Sequence, residues 1–254
     1  MSTSIRGLLA ATMLAGSLFA AAPALAQEED SAVSVSGNVA LVTDYRFRGY
    51  SLTDGDPALQ GGLDVALPAG FYVGTWASTI TGGSAYGEME LDAYAGWGHE
   101  FGALTVDAGV LYYIYPTGDF DDDEDEDFDG VDTDFFETYA SLSAGIGPVT
   151  ATVGAAYTFE QNAVGNGDED NIYLYTDLAA GIPETPISLS AHLGYNDGPF
   201  SYTKANGKVW DWGVGASYAV TESLSLGVNY VDVGGAKIED FSDGGLFFTL
   251  GYSM

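Results

Sequence analysis

From about Val33 to its last residue the chain alternates apolar and polar side chains in segments of about ten residues, joined in turn by short and long connections. Period two sends neighbouring side chains to opposite faces of a strand, so each segment reads as a strand with one apolar face and one polar face. Twelve such segments can be placed, over 34–47, 57–67, 71–80, 88–99, 104–115, 135–146, 149–160, 171–181, 187–196, 209–219, 224–233 and 245–253. In the fifth, Leu104, Val106, Ala108, Val110, Tyr112 and Ile114 share one parity, while Thr105, Asp107, Gly109, Leu111, Tyr113 and Tyr115 share the other. In the third, Phe71/Val73 and Tyr72/Trp76 compete for the apolar face, and parity stays open there.

Short connections follow the even segments and long ones follow the odd segments. An even strand count with both ends on the short-turn side is the arrangement of a single-chain bacterial outer-membrane barrel. A soluble β-sandwich has no reason to alternate loop length in this way. The expected fold is therefore all-β: a transmembrane antiparallel β-barrel of about 12 strands, with short periplasmic turns and long acidic outer loops. Parity places two girdles of outward aromatic rings. Tyr45, Phe47, Tyr112, Phe136, Tyr157, Phe159, Tyr195, Trp210, Trp212 and Tyr230 fall near the long-loop edge, and Phe71, Trp97, Tyr218 and Tyr252 near the other. At the C-terminus Leu246, Phe248, Leu250, Tyr252 and Met254 share one parity, as in a terminal strand read by barrel-assembly machinery, with Met254 where a final aromatic is usual.

The first 26 residues read as a cleaved signal peptide: Arg6, an apolar run from Leu8 to Ala22, and Ala24-Leu25-Ala26 before Gln27. The domain reading is a signal peptide over 1–26, a short periplasmic segment over 27–33 and the barrel over 34–254, in the bacterial outer membrane. The chain carries a formal net charge of −31, and loss of Arg6 with the leader makes it −32. Such a field repels nucleic acid and attracts cations. The absence of cysteine excludes disulfides and thiolate metal sites. A hydrophobic content of 46 % and an aromatic content of 13 % argue against a disordered acidic chain.

Several blocks carry a family likeness. Asp44-Tyr45-Arg46-Phe47-Arg48-Gly49, Ser51, Pro57-Ala58 and Gln60-Gly61-Gly62-Leu63-Asp64 resemble the opening of the TorF porin family. Gly70 to Trp76, Glu90 to Gly96 and Tyr112 to Pro116 are similar to its next blocks, so the likeness spans roughly 38–116. It implies an outer-membrane barrel of porin type and brings no catalytic or solute-contacting residues to carry over. The acidic insertion at 119–129 departs from the family's shorter loop.

The face opposite the lipid gives the candidate pore lining: Asp44, Arg46, Arg48, Asp64, Glu88, Glu90, Asp92, Tyr94, Asp107, Tyr113, Glu137, Tyr139, Tyr173, Tyr175, Asp177 and Asp211. Tyr115 and Glu160 share that parity. Acids outnumber bases on this wall, which predicts cation preference. Arg46 and Arg48 are expected to pair with wall carboxylates, because lone charges in a narrow lumen are costly. About twelve strands enclose less space than a large porin, so the tyrosines either line a conduit for small solutes or pack into a plug.

The segment from Asp119 to Asp132 carries ten acids and reads first as a solvated, self-repelling loop. Its Asp125, Asp127 and Asp129, followed by Gly130, begin like a Ca²⁺ loop, but the position due for the bidentate acid is Phe136, with Glu137 one place late. Weak Ca²⁺ binding there is the alternative; no other cofactor is expected. His99 and His192 are the only histidines; Ser190 and Asn196 share the parity of His192 on one strand, but nucleophile and base must meet across strands and nothing marks a nucleophile, so no enzyme is expected. The resulting function is passive, porin-like diffusion of small ions or solutes. Its rival is a non-conducting surface protein whose acidic loops bind divalent cations or a partner. Expected partners are outer-membrane lipid, lipopolysaccharide and the assembly machinery.

Overall fold

The computed structural model describes residues 33–118, 133–167 and 169–254. The leader over 1–26 and the candidate Ca²⁺ ligands Asp125, Asp127 and Asp129 lie outside the described residues. Fourteen strands are present among them: β1 (Ser34–Val42), β2 (Arg46–Phe47), β3 (Tyr50–Ser51), β4 (Ala58–Ala66), β5 (Phe71–Thr79), β6 (Met89–Phe101), β7 (Leu104–Ile114), β8 (Phe135–Ile146), β9 (Val149–Thr158), β10 (Asn171–Gly181), β11 (Ile187–Asp197), β12 (Lys208–Ala219), β13 (Leu224–Val233) and β14 (Gly245–Ser253). Twelve form one closed antiparallel barrel, each pairing with its sequence neighbours, and β2 with β3 forms a separate hairpin.

Closure runs through β1, which pairs with β4 from Ser34↔Ala66 to Val42↔Ala58 and with β14 from Asn38↔Ser253 to Val42↔Thr249. Met254 and Gly37 extend that seam with two further main-chain bonds, of 3.0 and 3.2 Å. No strand edge in the barrel is left unpaired, the condition for strands to sit in hydrocarbon. Two of the short connections are two-residue hairpins in which glycine supplies the positive φ such turns need: Gly102 at 69° and Gly147 at 62°. No helix among the described residues is long and apolar enough to cross a membrane.

The outward face is apolar. Val39, Leu41, Leu63, Val73, Leu142, Val153, Leu174, Leu193, Val214, Leu226 and Leu250 are all exposed on it. The third strand's parity is settled by burial: Tyr72, Trp76 and Ser78 point inward, and Phe71 and Val73 outward. Outward rings cluster near strand ends and touch across strands, as in Tyr195–Trp210 with centroids 4.8 Å apart and Trp212–Tyr230 at 5.5 Å.

Two expected outward rings are not there. The first strand stops at Val42 rather than at residue 47, and the chain then turns into the barrel. Tyr45 is buried, with its hydroxyl donating to Glu90, and Phe47 packs edge-on against Tyr113 and Phe200. The cause lies in the side chains. Asp44, Arg46, Ser51 and Thr53 satisfy one another, through Arg46–Asp44 at 2.5 Å and Ser51–Asp44 at 2.6 Å, so the segment carries its own polar partners inward.

Candidate functional site

The inner wall is a set of tyrosines laid flat against glycines. Tyr94 sits directly across from Gly74, Tyr72 from Gly96, Tyr139 from Gly109 and Tyr175 from Gly154. A Cβ on any of these four glycines would overlap the facing ring. Each ring therefore lies along the wall instead of projecting across the lumen, a placement only glycine permits. The hydroxyls then reach carboxylates: Tyr94 donates to Asp64 at 2.5 Å, and Tyr72 reaches Asp107 at 3.0 Å and Tyr139 at 2.5 Å.

A second polar centre joins β10, β11 and β12. His192 Nδ1 lies 2.5 Å from Asp177, and its Nε2 lies 3.1 Å from Asp211 and 2.8 Å from the Tyr173 hydroxyl. The imidazole is thus clamped between two carboxylates, and no serine or threonine hydroxyl stands among these partners as a nucleophile.

Nearer the long-loop end a cluster of buried rings and an inserted segment occupy part of the lumen. The segment 43–57 leaves β1, crosses the barrel and returns to β4. Ring contacts and hydrogen bonds tie it to Trp76 on β5, Glu90 on β6, Tyr113 on β7 and Glu137 on β8. On the far side a Cβ on Gly49 would press against Val233 of β13 and Asp211 of β12. Two other loops, 198–207 and 234–244, close over it. Phe200 packs on Phe47 and Phe135, Tyr202 on Tyr50, and Phe241 stacks on Tyr50 with centroids 5.1 Å apart. Arg46 donates to the Asp243 carbonyl at 2.8 Å.

Arg48 stands at the tip of this segment. Its Nη2 lies 2.6 Å from Glu137, and its Cζ is 4.4 Å from the Tyr173 ring centroid and 4.7 Å from that of Phe47. Burial pulls the guanidinium pKa down, but Glu137 beside it more than offsets this and holds it above the ordinary arginine value. Arg46 pairs within its own segment, with Asp44, and not with the wall as expected. Glu137 also accepts from Thr158 at 2.8 Å and Tyr113 at 3.3 Å. Asp92 is fully buried between Trp76 and Tyr113 on the neighbouring strands, and neither of its carboxylate oxygens has a partner.

Of the residues singled out from the sequence, Asp64, Glu90, Asp92, Tyr94, Asp107, Tyr113, Glu137, Tyr139, Tyr173, Tyr175, Asp177 and Asp211 have inward parity on barrel strands. Asp44, Arg46 and Arg48 are inside too, but on the inserted segment rather than on the wall. Glu88 is a correction. It is exposed ahead of β6, because the chain there still belongs to a loop, where its amide donates to Thr117. Glu160, beyond the end of β9, is exposed as well. Sequence reasoning missed His192 as the centre of a charged cluster, and Tyr72 and Trp76 as inner-wall rings. The signal available was the facing register, which sets tyrosine opposite glycine on successive strands.

The barrel is similar in fold to solved porins. The KdgM porin superposes with a TM-score of 0.55 at 10% identity, covering 86% of this chain and 97% of that one. The NanC porin gives 0.55 at 11% identity, covering 87% and 99%. A KdgM porin in complex with disordered oligogalacturonate gives 0.53 at 9% identity, covering 87% and 98%. No curated protein matches the sequence. The family profile of Gcw_chp, described as a bacterial protein of unknown function, matches residues 26–248, and the chain belongs to that family.

Proposed function

We propose that this protein is an outer-membrane channel of porin type that passes small solutes and prefers cations. The observation that carries the reading is the closed twelve-strand barrel with an apolar outer face and carboxylates on its inner wall. A low-dielectric wall focuses the field of those carboxylates into the lumen, enriching cations and excluding anions. Arg48 and Arg46 are each held beside a carboxylate, so they leave the excess negative charge in place. The resemblance of residues 38–116 to the TorF porins and the fold of KdgM and NanC support the same reading. No bound cofactor is needed: closure satisfies the backbone in lipid, and wall charge biases entry.

The inserted segment 43–57 favours a second reading, in which the barrel is closed at rest and acts as a surface protein. Its long acidic loops, including 119–132, would then bind divalent ions or bridge to lipopolysaccharide. Conductance separates the two. Folded protein in a planar bilayer is expected to show discrete openings under the first reading. Silence from protein shown to be folded and inserted, with or without Arg48, would leave only the second.

A further inference from the structure

The side chain of Arg48 occupies a pocket whose charged floor and one aromatic side come from the barrel wall, while Phe47 of the inserted segment adds a ring 4.7 Å from the guanidinium carbon. Its floor is Glu137 on β8, held by Thr158 on β9 and Tyr113 on β7. Its side is the face of Tyr173 on β10, whose own hydroxyl is fixed by His192 and Asp211. Phe200 adds a second face, 5.6 Å from the guanidinium carbon. A carboxylate aligned by two hydroxyls beside a stacked aromatic ring is the recognition chemistry of a planar, delocalised cation.

Two observations mark Arg48 as an occupant rather than a part of that pocket. Its backbone lies at φ 49°, a left-handed conformation that a side chain of this size seldom takes, so the segment is bent to deliver the group. Its Nη1 has no partner, so the fit uses only part of what a guanidinium offers.

Resting on the channel reading above, we propose that this wall pocket is a subsite for guanidinium-bearing solutes and that Arg48 fills it as a tethered competitor. A solute and the loop tip then exclude each other, and the protein's preferred cations carry a guanidinium group. The tether gives Arg48 a high effective concentration, which keeps solute affinity low. Low affinity suits a channel, where binding has to be weak enough for exit.

Calorimetry with methylguanidinium on detergent-folded protein tests this. Arg48→Ala empties the pocket, and Arg48→Gly, which suits the left-handed backbone at that position, is a second emptied form should the first fold poorly. Either is expected to bind methylguanidinium at least about tenfold more tightly than the unchanged protein, in proportion to the competitor removed. Adding Glu137→Gln should abolish the gain, and methylammonium, which cannot stack, should bind more weakly than methylguanidinium. Equal binding by the unchanged and emptied proteins, or a gain that survives Glu137→Gln, overturns the proposal. Bilayer silence speaks to the channel reading alone, since the calorimetry needs no conduction.

Discussion

Replacing Gly74 by alanine sets a methyl group where the Tyr94 ring now lies, since a Cβ at that position overlaps three atoms of the ring. The strands on either side are fixed by their ladders, so the ring has to swing into the lumen. That movement breaks the 2.5 Å bond from the Tyr94 hydroxyl to Asp64, whose other oxygen is already without a partner. Overpacking of this kind costs about 1–3 kcal/mol, and loss of a hydrogen bond to a carboxylate about 1.5–3 kcal/mol. Allowing for overlap between the two effects, Gly74→Ala should destabilise the barrel by about 2–5 kcal/mol. In a Tyr94→Ala background the methyl group meets no ring. There the same change should cost nothing, and it gains the ~0.5–1 kcal/mol by which alanine exceeds glycine in a strand. Urea unfolding in lipid vesicles, followed by tryptophan fluorescence, reads both values. A coupling of about 2 kcal/mol or more between the two sites is expected. If Gly74→Ala costs the same with and without the Tyr94 ring, the flat-tyrosine account of the inner wall is wrong.

His192→Ala removes the group between Asp177 and Asp211 and leaves a fully buried carboxylate with only the Tyr173 hydroxyl; unfolding should register a loss of about 3 kcal/mol. Changing Glu90 and Asp92 together to lysine should reduce cation preference, read as a reversal potential closer to zero. Removing 119–132 tests the acidic loop: Ca²⁺ heats present in the whole chain and absent from the deletion would assign divalent binding there, and identical traces would exclude it. Arg48→Ala should also raise the fraction of time the channel is open, since it removes the one ion pair between the inserted segment and the wall among the described residues.

The sequence made the barrel legible because lipid and lumen impose opposite demands on successive residues, and that pattern survives without any knowledge of neighbours. Strand ends were legible to within a few residues except at the first strand. There period two runs on through Asp44, Arg46 and Arg48, and an inserted segment alternates as a strand does. What distinguishes it is three-dimensional: Arg48 finds Glu137 about ninety residues away, and Tyr45 finds Glu90. The third strand was ambiguous because Tyr72 and Trp76 are as apolar as Phe71 and Val73. Only the facing glycine and carboxylate show which set is inside. Pairing of His192 with acids on both neighbouring strands depended on register in the same way.

Ion selectivity tests the central claim most directly. With folded Arg48→Ala protein in a planar bilayer under a KCl gradient, an inner wall carrying Asp64, Glu90, Asp92, Asp107 and Glu137 predicts a reversal potential on the cation side. An anion-side value, or a folded and inserted barrel that never conducts, would contradict it.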